Sequence, residues 1–242
     1  MKNKVFVIGN GESRKEFDLN VLKEHGKIYG CNALYRDFSP DVLVSNDIEM
    51  IVELIESKYC KDNACVFSDW NIMPGEAYDM IKDDITNVVS VGSGDKFSVF
   101  GTDEKTYVLW TTDENIEKFS NHHMRVDTGT ISLFLASQDL DVSDVYMLGF
   151  DIKDTLCSGG KNNNIYKDTD CYQSSDDLMS SKKQIKWSRD NASVFMKYPH
   201  INYHRVHNTK TNPFEWTSVD NVDCVSYSDF ESILDESLLR AE

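Results

Sequence analysis

Short apolar runs alternate along this chain with polar stretches whose apolar residues recur at helical spacing, a pattern that predicts strand and helix in turn. Lys4-Val-Phe-Val-Ile8 is a continuous apolar run rich in β-branched residues, ended at once by Gly9-Asn10-Gly11, which predicts a buried strand and its turn. Buried runs of this kind belong in parallel sheets. After the turn, Ser13 is placed to cap a short helical stretch carrying Phe17, Leu19 and Leu22, which Gly26 breaks. Residues 27–32 and 41–45 predict two more strands, and Ile48, Ile51, Val52, Leu54 and Ile55 are spaced for a helix over 48–59.

Residues 64–70 predict a fourth strand, followed by a helical stretch around 76–81. The β-branched runs within 88–110, broken by Gly92-Ser-Gly94 and Gly101-Thr-Asp, suggest an antiparallel ribbon inserted at the sheet margin. A helix over 128–140 and a strand over 144–149 follow. From 153 to 182 the chain turns to Ser, Asn, Asp, Gly and Lys with few aliphatic residues, too long for an ordinary connection, so a lid is expected there. A helix over 184–197, a strand over 201–206, a weak strand at Cys224-Val225-Ser226 and a helix from Ser228 close the chain. This order predicts a single α/β domain spanning 1–242, with a Rossmann-like, doubly wound, mostly parallel sheet and helices on both faces.

Composition narrows the class. Apolar residues make up 40% and aromatic residues 11% of the 242, enough for a sizeable core. No apolar run approaches the roughly 20 residues of a bilayer span. The N-terminus passes from Lys2 and Lys4 straight into a strand, so neither a signal peptide nor an anchor is expected. Six scattered cysteines without a CxxC pair fit reduced thiols in a cytoplasmic protein. The 41 acidic against 25 basic residues, a formal charge of −16, repel phosphate backbones and disfavour nucleic acid as a partner. A homo-oligomer is compatible with all of this.

Candidate chemistry gathers where strands end. Gly9-Asn10-Gly11-Glu12-Ser13 lets the backbone turn sharply, so its N–H groups can approach a phosphate or sugar. It is neither a GxGxxG fingerprint nor a P-loop, and a plain strand-to-helix turn is the alternative. Asn32, Asn46 and Asp151 each follow a strand on the side where open α/β sheets bind ligands, with loop capping as the alternative for any one of them. Arg125 precedes Thr128-Gly129-Thr130, where a threonine can cap the following helix and a phosphate can sit at its positive end. A capped helix with a surface ion pair is the competing account. No HExxH, clustered Cys/His spacing or GxSxG elbow is present, so no metal and no serine-hydrolase site are expected.

In their order and approximate separation, Gly9-Asn10-Gly11-x-Ser13, Cys31-Asn32, Ser45-Asn46, Arg125-x-x-Thr128-Gly129 and Gly149-Phe-Asp151 make the chain resemble a known family. The likeness is to bacterial sialyltransferases of the kind that build host-like lipooligosaccharides, and to their phage and marine relatives. That resemblance implies a transferase using a CMP-sugar donor, with no further cofactor and an unknown acceptor. It implies that Asn10, Asn32 and Asn46 lie near the nucleotide, the start of the Thr128-Gly129-Thr130 helix near phosphate or base, and Asp151 near ribose or cytosine. It also implies a lid whose tyrosines bond the departing phosphate: Tyr166 matches, whereas Lys153 stands where another tyrosine is expected.

The family's histidine base after the lid is missing, because residues 181–188 contain none. Of the six histidines, His122 and His123 adjoin Arg125, which ranks His123 as the substitute. Archaeal-type pterin diphosphokinases resemble the same core and also lack that histidine, so a pyrophosphokinase is the rival activity. A catalytically inactive nucleotide sensor is the third.

Overall fold

A computed structural model of the chain describes residues 3–69, 88–91, 108–112, 126–152 and 162–239. The chain divides into two compact units, one formed by Met1–Ile28 with Leu133–Glu242 and the other by Tyr29–Ser132.

The first unit is built on strands β1 (Asn3–Ile8), β7 (Val142–Leu148), β8 (Asn202–Val206) and β9 (Val222–Val225), hydrogen-bonded in that order and all parallel. Val5 pairs with Val145 and Ile8 with Leu148, so β1 and β7 end level with each other. Consecutive residues of a strand face opposite sides, and β8 shows what covers each. Tyr203 packs on Phe195 of helix α3 (Ser181–Lys197), with ring centroids 4.6 Å apart. His204, its neighbour, stacks on Tyr146, which in turn meets Phe230 of helix α4 (Tyr227–Leu239). This sheet therefore carries helices on both faces. Phe6, Tyr146, Phe230 and Phe17 fill one layer. Phe195, Tyr203 and Trp216 fill the other, where the Trp216 indole donates to the Ser188 carbonyl at 2.7 Å.

The second unit holds the order β5 (Val88–Val91), β6 (Val108–Thr112), β4 (Cys65–Asp69), β3 (Val42–Ser45) and the Tyr29–Cys31 end of β2 (Gly26–Cys31), again all parallel. Strand β3 is buried along its whole length, as a continuous apolar run in a parallel sheet should be. Helix α1 (Ile48–Glu56) buries Met50, Ile51, Leu54 and Ile55. Its Glu53 takes a two-pronged bond from Arg36, at 2.9 and 2.6 Å, and the Tyr35 hydroxyl at 2.5 Å.

The architecture is α/β and Rossmann-like. The expected antiparallel ribbon over 88–110 is corrected: β5 and β6 are parallel, Val88 opposite Val108. Parallel neighbours need a crossover of about a dozen residues or more, and the stretch between Val91 and Val108 is long enough to supply one. Two helices are shorter than periodicity suggested, α1 ending at Glu56 and α2 (Thr128–Ala136) ending before Leu140, which is exposed. Helix α3 starts earlier, at Ser181. The expected helix around 76–81 lies outside the described residues. Among the described residues no helix is long and apolar enough to cross a membrane.

Candidate functional site

Two groups of strand-end residues stand out, one in each unit. In the first unit the chain leaves β1 through Gly9-Asn10-Gly11 beside the exit of β7 through Gly149-Phe150-Asp151. The two turns are stitched together by Gly9 N–H to Leu148 O at 2.8 Å and Gly11 N–H to Gly149 O at 3.0 Å. A Cβ on Gly11 would lie 2.3 Å from the Asp151 Cγ and 2.6 Å from the Gly149 carbonyl oxygen. Gly149 itself has φ +69°, in the region that favours glycine. The glycines thus serve close approach of one turn to the other.

Asp151 fastens that contact. Its Oδ2 accepts the Ser13 N–H at 2.9 Å and the Asn163 side-chain amide at 3.0 Å, and its Oδ1 accepts the Ser13 hydroxyl in a short bond. The expected capping role of Ser13 is corrected accordingly: its side chain turns to this carboxylate, and the helical stretch that carries Leu19 and Leu22 (Leu19–Glu24) is capped by Asp18, which accepts the Asn20 N–H at 2.9 Å. Behind Asp151 the buried Arg205 guanidinium donates to the carbonyls of Phe150, Ile152 and Thr211 at 2.8–3.0 Å. Burial lowers the Arg205 pKa, and the Asp151 charge opposes that shift.

The far half of the expected lid, from Asn162 onward, lies against the glycine turn. Asn164 forms an isolated antiparallel bridge with Gly11, Glu12 N–H donates to Asn163 O at 2.9 Å, and Ile165 N–H donates to Asn10 O at 2.9 Å. Asn10 donates its side-chain amide to the Tyr172 hydroxyl at 3.0 Å. Tyr166 is buried, and its hydroxyl accepts from Arg14, whose Nε also holds the Gly9 carbonyl at 2.7 Å. The N–H groups of Gly9, Gly11, Glu12, Ser13 and Arg14 are all donated within the chain. Side chains, more than turn amides, are therefore what this rim has to offer a ligand.

The second unit joins Asn32, Asn46 and Thr128. Asn46 donates to the Val126 carbonyl at 2.7 Å and accepts the Thr128 hydroxyl in a short bond; the same hydroxyl lies 3.3 Å from Asn32 Oδ1. Asn32 adopts φ 51°, a left-handed conformation asparagine tolerates better than most residues. The expected threonine cap of α2 is corrected to Asp127, whose carboxylate takes the Thr130 N–H at 3.0 Å and the Thr130 hydroxyl at 2.6 Å. A carboxylate accepts there more strongly than a hydroxyl. Its charge also already complements the positive end of the helix where a phosphate was expected.

Thus Gly9, Asn10, Gly11, Ser13, Asp151 and Tyr166 are assembled in one unit, and Asn32, Asn46, Thr128 and Thr130, with Gly129 in the same helical turn, in the other. Arg125, His123 and Lys153 lie outside the described residues. Four participants escaped the sequence: Arg14, Asn163, Tyr172 and His207. His207 follows the last residue of β8, and its Nε2 lies 3.8 Å from Asp151 Oδ1. The rule that flagged Asn32, Asn46 and Asp151 at strand ends points to it equally. Burial, then the Arg205 charge, lowers the His207 pKa against the pull of Asp151. Tyr227, beside Ser13 and the Gly149 backbone, is raised to about 12 by burial. No protein-family model matches this chain, and no curated protein is significantly similar to it.

Proposed function

We propose that this protein is a nucleotide-sugar glycosyltransferase with a CMP-sugar as donor. The observation that carries the proposal is the Ser13–Asp151 clamp between the ends of β1 and β7, two adjacent parallel strands. Ligands of open α/β sheets bind outside the carboxyl ends of such strands. The likeness to sialyltransferases in the order of the Gly-Asn-Gly, Cys-Asn, Ser-Asn, Thr-Gly and Gly-Phe-Asp segments supports the choice of cytidine and sugar.

In the reaction the anomeric carbon–oxygen bond to the donor phosphate breaks and CMP leaves with the bonding electrons. The acceptor hydroxyl oxygen forms the new glycosidic bond, and its proton passes to a base, for which His123 beside Arg125 is the candidate. Tyr166, with the Arg14 cation next to its hydroxyl, is assigned to the phosphate charge as it develops. Lys153 is assigned to the same charge. No cofactor beyond the donor is required in this scheme. The cytoplasm is the assigned compartment, in keeping with free thiols at Cys31, Cys60, Cys65, Cys171 and Cys224.

A turnover assay tests this against its rivals. The protein is incubated with CMP-sialic acid and a panel of glycan acceptors, and separately with ATP, magnesium and a hydroxymethyl pterin. Release of CMP that depends on acceptor and is abolished in Asp151→Ala supports the transferase. Release of AMP from ATP with no donor consumed assigns a pyrophosphokinase instead. Binding of CMP without turnover of either donor assigns a sensor.

A further inference from the structure

We propose that His207 and Asp151 together recognise a ligand hydroxyl, the imidazole Nε2–H donating to its oxygen while Asp151 Oδ1 accepts its proton. The assignment rests on the nucleotide reading above and specifies the ligand further: a ribonucleotide whose ribose hydroxyl occupies this pair.

The tautomer of His207 is set by its own loop. The Thr209 backbone N–H donates to His207 Nδ1 at 3.1 Å, and the Thr209 hydroxyl lies 2.8 Å from the same nitrogen. A nitrogen that accepts from an amide carries no proton, so in the neutral ring the proton is on Nε2. Nε2 is the atom directed at Asp151. Burial and the neighbouring Arg205 cation favour the neutral ring, which leaves Nε2 a donor.

The separation decides what the pair can do. At 3.8 Å, Nε2 and Oδ1 are too far apart for a direct hydrogen bond. An oxygen about 2.8 Å from each atom is within hydrogen-bond reach of both at once, at the apex of a triangle whose base is that gap. The oxygen must accept on one side and donate on the other, which a hydroxyl does and an ether or a methylene does not. Asp151 is committed elsewhere only in part: Oδ2 takes Ser13 N–H and Asn163, whereas Oδ1 takes the Ser13 hydroxyl and keeps a second lone pair. Asp151 is 6% and His207 17% exposed, so the pair is sheltered enough for an unmatched ligand to leave both groups wanting.

Ribose discrimination tests the assignment. Wild-type protein is titrated calorimetrically with CMP, 2′-deoxy-CMP and 3′-deoxy-CMP, and the series is repeated with His207→Ala and His207→Gln. The expected result is a loss of about tenfold or more for one of the two deoxy ligands in the wild type. In His207→Ala that ratio falls to within about twofold, and His207→Gln, which keeps an N–H donor, restores part of it. Equal wild-type affinities for all three ligands overturn the proposal, as does an unchanged ratio in a folded His207→Ala; either leaves nucleotide binding intact. Should His207→Ala fail to fold, the wild-type ratios and His207→Gln decide. Absence of any cytidine-nucleotide binding in the wild type overturns both this assignment and the function it deepens.

Discussion

Ser13 and Asp151, 138 positions apart in the chain, are joined twice, backbone N–H to Oδ2 at 2.9 Å and hydroxyl to Oδ1. A buried carboxylate with this many donors does two things at once. It ties the turn after β1 to the turn after β7, and it supplies the negative charge that faces Arg205.

Removing parts of this junction should therefore be graded. Ser13→Ala deletes one charge-assisted hydrogen bond and is expected to cost about 1–2 kcal/mol, whereas Asp151→Ala strands the Ser13 N–H and hydroxyl and the Asn163 amide and is expected to cost about 3 kcal/mol. Urea unfolding of the two variants checks the order. Equal, negligible shifts would show that the junction contributes nothing to stability.

Gly11 should tolerate no side chain. A Cβ there meets the Asp151 carboxyl carbon and the Gly149 carbonyl oxygen at distances no real contact reaches, so Gly11→Ala must push the two turns apart. A loss of about 2 kcal/mol or more is expected, together with loss of any ligand affinity that depends on Asp151. Thermal unfolding and a binding titration read the two effects separately.

Two histidines on and just beyond β8 should bend the pH dependence of stability in opposite directions. His204 sits between Asp223, 2.7 Å from Nδ1, and Asp144, 3.2 Å from Nε2. Burial pushes its pKa down, but the two carboxylates outweigh burial and leave it raised. The stability it contributes is fully present below its unfolded value near 6.5 and is lost as pH rises through the folded value. His207, lowered by burial and by Arg205, does the reverse: it costs nothing above about 6.5 and penalises the fold as pH falls through 6.5 toward its folded value. Denaturant midpoints followed from acid to neutral pH should show His204→Ala losing most stability at the acid end, and His207→Ala losing least there. Parallel profiles for wild type and both variants would contradict this.

Much of the fold was legible because buried parallel strands announce themselves as unbroken apolar runs: β1, β2, β3, β4 and β7 were placed to within two residues at each end. The pairing of β5 with β6 was not, since glycines between two strands look alike whether the chain turns back or crosses over. Helix caps failed for a related reason. Ser13 and Thr128 are plausible caps by residue type, yet Asp127 offered a stronger acceptor at α2 and Asp151 drew Ser13 away. The strand-end rule found Asn32, Asn46 and Asp151 and would have found His207. Nothing local marks Arg14, Asn163 or Tyr172, whose roles arise only when 162–172 folds against the first turn.

A cytidine nucleotide is expected to bind at the rim around Gly9–Arg14 and Asp151. The most direct measurement is a titration of isotope-labelled protein with CMP, following the backbone amide resonances of Gly9, Asn10, Gly11, Ser13 and Asp151. Saturable shifts of these resonances, absent with a nucleotide of another base at the same concentration, are the expected result. Silence at these five positions while CMP binds elsewhere, or the absence of any response to CMP, would contradict it.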